Sequence, residues 1–408
     1  MVTRPVLLDC TRMLAHHWTE RMPTGIDRVC AAYRSHFAPQ ANAVIQLHGH
    51  AWVLGRGQSE KLFAMLDGPR LRLRDNLTAL ARMLQGGTHD RAVTDGALYL
   101  NVSHTDYDLE RHQGWVRRSG VRPIYLVHDL IPIEHPYWTT PHKTRRHVGR
   151  VRSALSAASG IIANSHATAR AIRGFARANG LLAPPILGAP LGTSDLPVAP
   201  RIVSQQRPTF VCIGTIERRK NHMLLFDVWQ RLIARLGEGA PQLVLIGRWG
   251  LGSAEVRRRY RADPHLHRFV RIKDDCTDAA IAQHLRSACA LLAPSRAEGF
   301  GLPVVEALGL GVPVIASDLG AFREAGDEVP TFLDPARPEA WLAAICEFAA
   351  NGPERRRQLT ALRAYRAPDW ADHFALVDSW LEALVAPGHV AVSRPVRTQA
   401  LLRAGARA

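Results

Sequence analysis

The stretch Ala290-Leu291-Leu292-Ala293-Pro294-Ser295-Arg296-Ala297-Glu298-Gly299-Phe300-Gly301-Leu302-Pro303-Val304-Val305-Glu306-Ala307 decides how the rest of the chain is read. Its four opening residues are apolar and read as a buried strand. A loop with two glycines, Gly299 and Gly301, follows, and a helix then opens with Pro303 in its first turn, where proline fits. Glycines there let the backbone approach a ligand closely. Amides at the helix N-terminus can receive a phosphate or a sugar hydroxyl. Glu298 precedes the loop and Glu306 lies one turn into the helix, so both carboxylates can line one cleft.

Working outward, short apolar runs alternate with helix-length segments along the whole chain. In the first half strands are expected near Val6–Asp9, Ala43–Leu47, Leu98–Val102, Ile124–His128, Ile161–Asn164 and Ile186–Leu187. In the second half they are expected near Thr209–Ile213, Gln242–Gly247, Phe269–Ile272, Ala290–Ala293, Pro313–Ser317 and Thr331–Leu333. Helices fall between them, among them His222–Leu236, Asp278–Cys289 and Pro303–Gly309. Such alternation predicts an α/β chain with parallel sheets covered on both faces. It occurs twice, on either side of the proline-rich stretch Ala183–Pro208. Two doubly wound Rossmann-like domains facing a central cleft follow, with ligands at the carboxyl ends of the strands. The expected division is 1–197, 198–368, a terminal amphipathic helix over 369–388 free to cross back to the first domain, and a basic tail over 389–408.

Three further motifs carry chemistry. In Cys212-Ile213-Gly214-Thr215-Ile216-Glu217-Arg218-Arg219-Lys220-Asn221 a strand ends at Gly214 and three cations follow before a helix. Cations at a strand's carboxyl end suit a diphosphate, because charge-assisted bonds stabilise negative charge growing on a leaving group. In Tyr125-Leu126-Val127-His128-Asp129-Leu130-Ile131-Pro132 a histidine ends an apolar strand, where it can orient a sugar or move a proton, or simply sit satisfied in the core. Asp129 is its partner or a loop cap. In Pro23-Thr24-Gly25-Ile26-Asp27-Arg28-Val29, Thr24 reads as a helix cap and Asp27 complements the helix dipole, while Gly25 can let the loop close over a phosphate or acceptor. Arg248, in Gly247-Arg248-Trp249-Gly250, ends another strand and borders the same region. The basic run His142–Arg152 reads as a solvated face, or as a helix near a membrane, and Arg257–Arg259 as facing water.

The Glu298-to-Glu306 stretch resembles the E-x7-E signature of glycosyltransferase family 4, retaining enzymes with the GT-B fold. The resemblance is clear over Arg207–Pro335 and looser over the first half. It implies that Glu306 holds the ribose hydroxyls of a nucleotide. Glu298 would then contact the donor sugar, with the Gly299-Phe300-Gly301 amides and Leu302. An Arg and a Lys of the basic turn would bind the pyrophosphate. Many members carry that Arg five residues before the Lys, where this chain has Thr215; Arg219, beside Lys220, replaces it, as in members reading G-T-x-E-x-R-K-N. Gly214 and Thr215 line the same turn. His128 matches a histidine that often contacts the donor sugar. A similar G-I-x-R-V stretch occurs in members that build bacterial surface polysaccharides. The resemblance therefore implies a nucleotide-sugar donor, with mannose from GDP-mannose as the first expectation and UDP-hexose or dTDP-rhamnose open. The acceptor would be a saccharide or lipid-linked saccharide hydroxyl. No D-x-D triplet stands near a strand end and no inward carboxylate nucleophile is evident in the first half, so metal-free transfer without a cofactor is expected.

Composition sets the remaining bounds. With 47% hydrophobic residues the chain is globular, and no apolar run is long enough to span a membrane. The first residues hold too short an apolar stretch for a secretory signal. The six cysteines form no C-x-x-C pair, so a reducing, cytoplasmic setting is expected, with contact at the inner face of a membrane as an option. The formal charge of +16 rests on 48 arginines against 4 lysines. It favours anionic partners but cannot choose among them. A nucleotide-sugar 2-epimerase on the same scaffold and a basic polymer-binding protein are the rival readings. The second lacks any recognised nucleic-acid module, and no nucleic acid is expected as partner.

Overall fold

The computed structural model describes residues 4–18, 24–68, 91–193, 196–197 and 207–386. Two sheets form the frame. The first runs in the order β3-β2-β1-β4-β5-β6-β7 and the second β10-β9-β8-β11-β12-β13. The first contains β1 (Val6–Asp9), β2 (Ala41–Leu47), β3 (His50–Val53), β4 (Leu98–Asn101), β5 (Arg122–Val127), β6 (Gly160–Ala163) and β7 (Ile186–Gly188). The second contains β8 (Thr209–Ile213), β9 (Gln242–Ile246), β10 (Val270–Lys273), β11 (Ala290–Ala293), β12 (Val314–Ser317) and β13 (Thr331–Leu333). Every pairing is parallel except β2 with β3. Runs such as Leu98–Asn101 and Ala290–Ala293 are buried at every position, as strands covered on both faces must be.

In each sheet the winding reverses at one place: between β1 and β4 in the first, between β8 and β11 in the second. Open α/β sheets bind ligands outside the carboxyl ends of strands at such a switch point. Both motifs with the strongest chemistry, the basic turn after β8 and the glycine loop after β11, lie there.

β3 was not anticipated from the pattern. Its hairpin is a two-residue turn, with Leu47 paired to His50 and positive φ at both His48 and Gly49. That is the primed turn whose twist suits a hairpin. An X-Gly turn between short apolar runs was the available signal.

The helix Trp370–Val385 crosses back onto the first domain. Phe374, Val377, Leu381 and Leu384 join the same hydrophobic cluster as Tyr33, Phe37, Leu98 and Leu126. His36 stacks on Phe374 with ring centroids 3.9 Å apart, Tyr33 Oη meets His373 Nε2 at 2.9 Å, and Arg122 donates to the Leu384 carbonyl. Asp369 caps the helix by accepting the Asp372 N–H. The last described helix thus lies on the domain where the chain began.

The expected boundary at 197/198 adjoins residues outside the described ones, and the basic tail 389–408 lies outside them. Among the described residues no helix is long and apolar enough to cross a membrane. All six cysteines are free thiols.

Two readings of charge are corrected. The basic helix Pro141–Ala157 is not a uniformly solvated face: Arg146 bonds Asp106 and Asp108 at 2.9 Å each, Arg150 pairs with Asp108, and Arg152 bonds Asn179. Nor do Arg257–Arg259 all face water, since Arg257 lies over the Trp249 ring and Arg259 pairs with Asp227. Partners outside each basic run decided both.

Candidate active site

Between the two sheets lies a cleft of about 730 Å³. Its second-domain wall starts where β11 ends. Gly301 has φ +112 and stands directly before the helix Leu302–Gly309, a backbone state that suits glycine. The turn sends the chain sharply into the helix, where Pro303 has no N–H to place and Val304 N–H bonds the Gly301 carbonyl at 2.9 Å. Phe300 is buried in the cluster shared with the first domain, so its backbone rather than its ring serves the cleft.

Facing this loop is the 3-10 turn Arg218–Lys220, after β8. Lys220 Nζ lies 2.5 Å from Glu298 Oε1, and Arg219 Nη1 lies 2.8 Å from Glu298 Oε2. Ser295 Oγ donates to the same carboxylate at 2.7 Å. Burial alone would push the Glu298 carboxyl up, but Arg219 and Lys220 hold it down at about 2, so it is ionised at any working pH. Burial would likewise weaken the Arg219 charge, yet Glu298 and Glu217 keep it firmly protonated. The turn therefore presents Arg219 and Lys220 tied to one ionised carboxylate. Arg248 lines the cavity from the end of β9 and has no ion pair among the described residues.

Glu306 behaves differently. It is buried on the helix Leu302–Gly309, and burial raises its carboxyl to about 7. Asp278 adds to the rise and Arg28 opposes it. Arg28 comes from the first domain, on the helix Gly25–Phe37. It donates to Glu306 Oε1 at 2.7 Å and to Asp278 Oδ1 at 2.6 Å.

The first-domain wall is equally specific. His128 follows β5, and its Nε2–H donates to the Val102 carbonyl at 2.9 Å. Burial holds its ring down at about 4, so the neutral imidazole keeps Nδ1 as an acceptor. Asp129 also lines the cleft, its Oδ1 accepting the Ile131 N–H. The first half thus does present a carboxylate to the cleft, and the residue is the Asp129 read from the sequence as a partner of His128 or a loop cap. Gly25 approaches Leu302 across the boundary; a Cβ there would sit 3.1 Å from Leu302 Cδ1. Asp27 accepts both the N–H and the hydroxyl of Thr24, and pairs with Arg12 at 2.8 Å.

Three contacts draw the domains together. Ser165 and Thr168 donate to the Gly299 carbonyl at 2.6 and 3.1 Å. Glu324 accepts the N–H groups of His166 and Ala167 at the start of the helix His166–Ala178, where the helix dipole favours an anion. Arg28 spans the gap as described.

All the residues singled out from the sequence line this one cleft: His128, Arg219, Lys220 and Glu298, with Gly25, Gly214, Thr215, Arg248, Gly299, Phe300, Gly301, Leu302 and Glu306. Arg28, Asp278, Ser165, Thr168 and Glu324 were not singled out. Arg28 stood inside a quoted motif; the others carry no local pattern. Among the described residues no group of three or more His, Cys, Asp or Glu is placed to hold a metal ion.

Residues 207–351 match the sequence family described as "Glycosyl transferases group 1". The chain carries a glycosyl transferases group 1 domain. Its similarity to characterised proteins extends further. It is 25% identical over 252 residues to the serotype-specific mannosyltransferase WbdA of Escherichia coli, covering 58% of this chain and 31% of that protein. It therefore spans about a third of that relative's length. It is 27% identical over 316 residues to a D-inositol 3-phosphate glycosyltransferase of Thermomonospora curvata, covering 70% of this chain and 71% of that one. The match to a phosphatidyl-myo-inositol mannosyltransferase of Mycobacterium leprae is 32% over 188 residues, covering 44% and 48%. Among solved structures it resembles Anabaena HepE in complex with UDP-glucose, with TM-score 0.61 at 15% identity, covering 92% of this chain and 99% of that one. It also resembles sucrose-phosphate synthase from Thermosynechococcus elongatus, with TM-score 0.60 at 18% identity, covering 93% and 99%. The fold is GT-B: two Rossmann-like sheets facing a cleft.

Proposed function

We propose that the protein is a retaining, metal-independent glycosyltransferase that moves a hexose from a nucleoside diphosphate sugar to a hydroxyl of a saccharide or lipid-linked saccharide. The observation that carries this reading is the convergence of Lys220, Arg219 and Glu298 with Glu306 in one cleft, opposite His128 of the other domain. In this reading Glu306 takes the ribose diol. Lys220 and Arg219 meet the charge that grows on the diphosphate as the bond from the anomeric carbon to phosphate oxygen breaks. The acceptor oxygen bonds the anomeric carbon from the face the phosphate leaves, and its proton passes to the departing phosphate oxygen. Glu298, permanently ionised, anchors both cations and faces the sugar hydroxyls as an acceptor. Neutral His128 accepts a further hydroxyl hydrogen bond through Nδ1.

Mannose from GDP-mannose is the proposed donor, supported by the names of the WbdA and phosphatidyl-myo-inositol relatives and by the Gly25–Val29 and His128–Pro132 stretches. The UDP-glucose complex of the structural neighbour keeps UDP-hexose as the comparison donor in the test. Assembly of a bacterial surface polysaccharide, in the cytoplasm or at the inner face of the membrane, is the proposed setting.

Thermal unfolding with GDP, UDP and dTDP in turn, in the presence of EDTA, tests the donor site first. A nucleotide at about 100 times its dissociation constant stabilises the protein by about 2.7 kcal/mol. A rise in Tm with GDP alone supports the mannosyl donor. No rise with any of the three defeats the nucleotide-sugar reading. Incubation with GDP-mannose and candidate glycans then separates transfer from epimerisation: a new α-mannoside supports the proposal, and a change of sugar configuration without transfer replaces it.

A further inference from the structure

We infer that Arg28 is a positioning residue of the donor site: its guanidinium fork, presented by the first domain, fixes Glu306 and Asp278 of the second and so orients the carboxylate that receives the ribose. The inference rests on the nucleotide-sugar reading above and goes beyond it, since a residue of the opposite domain completes the nucleotide seat.

The geometry is bridging. Nη1 takes Glu306 Oε1 at 2.7 Å while Nη2 takes Asp278 Oδ1 at 2.6 Å, so one planar fork binds two carboxylates. A lysine ammonium offers no such fixed fork. Arg28 is held in place by its own helix, whose start is tied by the Asp27–Thr24 bonds one residue before it. Glu306 Oε2 accepts no hydrogen bond from a described residue, which leaves it for a ribose hydroxyl. The bridge also joins the helix Asp278–Ser287 to the helix Leu302–Gly309, and so sets the spacing of two walls of the cleft.

The environment explains why such a residue is needed. Burial pushes Glu306 up to about 7, and the nearby Asp278 adds to the rise. A protonated carboxyl has one good acceptor oxygen rather than two, a poor match for a diol. Arg28 favours the ionised form. The cavity lining also carries Arg12, Lys143, Arg219, Lys220 and Arg248 against Asp129, Glu217, Asp274 and Glu298, with neutral His128.

The sign is fixed by this arrangement. With its carboxyl raised, Glu306 is ionised above about 7 and loses its charge as the pH falls through that value, so nucleotide affinity falls with it. Without Arg28 the same fall occurs at a higher pH. Calorimetric titration with GDP, UDP and dTDP from pH 6 to 9, on the full chain, measures this in wild type, Arg28→Ala, Arg28→Lys and each combined with Glu306→Gln. The expected result is an affinity loss of about tenfold or more for Arg28→Ala at pH 7, shrinking as the pH rises to 9. Arg28→Lys recovers part of it. In the Glu306→Gln background, removing Arg28 costs little more. The nucleotide's own phosphate titration is common to every variant and cancels. A loss equal at every pH, or one persisting in full with Glu306→Gln, overturns the inference and leaves Arg28 as a direct phosphate contact or a mere prop between domains. Absence of binding by the wild type overturns the nucleotide site itself, and this inference with it. Arg28→Lys keeps the cation, so the test stands even if Arg28→Ala fails to fold.

Discussion

Gly299 lies directly beneath the carbonyl oxygen of His128: a Cβ built on it would come within 2.1 Å of that oxygen. The two residues belong to different domains, and the contact exists because one of them has no side chain. Gly299→Ala should therefore force the glycine loop away from the first domain. A misplacement of about 1 Å in a catalytic constellation costs on the order of 100-fold in turnover. Steady-state kinetics with small-angle scattering checks this: kcat should fall by that order and the radius of gyration should rise. Unchanged turnover would mean the loop does not need this closure.

Lys220 should matter to chemistry more than to folding. Lys220→Ala leaves the departing diphosphate with one cation fewer, and losing one such stabilising group costs about 10²–10³ in kcat. Glu298, which Lys220 helps to hold down at about 2, should shift upward in the variant. Turnover in a circular-dichroism-verified variant is the measurement, and near-normal kcat would remove Lys220 from the leaving-group role.

Asp129 separates two ways of retaining configuration. It is the carboxylate that the first domain adds to the cleft, and it already serves as a turn cap for Ile131. Same-face transfer predicts that Asp129→Asn keeps most of its turnover. A carboxylate nucleophile would instead lose on the order of 10⁴ or more. Comparison of kcat, with mass spectrometry for a glycosylated enzyme, decides between them. A trapped covalent adduct on Asp129 would end the same-face reading.

The terminal helix should be a structural necessity. Phe374 stacks on His36 and packs against Tyr33 and Phe37 in the first domain's core. Truncating a buried Phe to Ala costs about 3–5 kcal/mol. Phe374→Ala should lower Tm by on the order of 10 °C. A Tm within a degree or two of wild type would show that the helix only rests on the domain.

Much of this was legible in the linear chain because it depends on local pattern. Fully apolar tetrads such as Ala290–Ala293 read as buried parallel strands, and the helix His222–Leu236 was bounded by its own periodicity. The glycine loop and the basic turn each sit at a strand's carboxyl end within a few residues, so spacing alone placed them at one edge. β3 escaped because four residues carry too little pattern and its pairing depends on a positive-φ turn. The charges of the helix Pro141–Ala157 were misread because Asp106 and Asp108, which pair with Arg146 and Arg150, arrive from another loop.

The sequence by itself determined the alternation of strands and helices, the two candidate anion-binding turns and the two glutamates eight residues apart, since these follow from periodicity and short-range chemistry. Only the tertiary structure decided that Arg28 meets a glutamate 278 residues away, that Glu324 caps a helix of the other domain and that Gly299 lies under His128. Those pairings depend on how the two sheets pack against each other, and that packing is set by shape and burial summed over both surfaces. No short segment encodes it. Contacts within the second domain bury Glu298 between two cations that keep it ionised, whereas docking brings Arg28 to Glu306, whose carboxyl burial and the like charge of Asp278 raise to about 7.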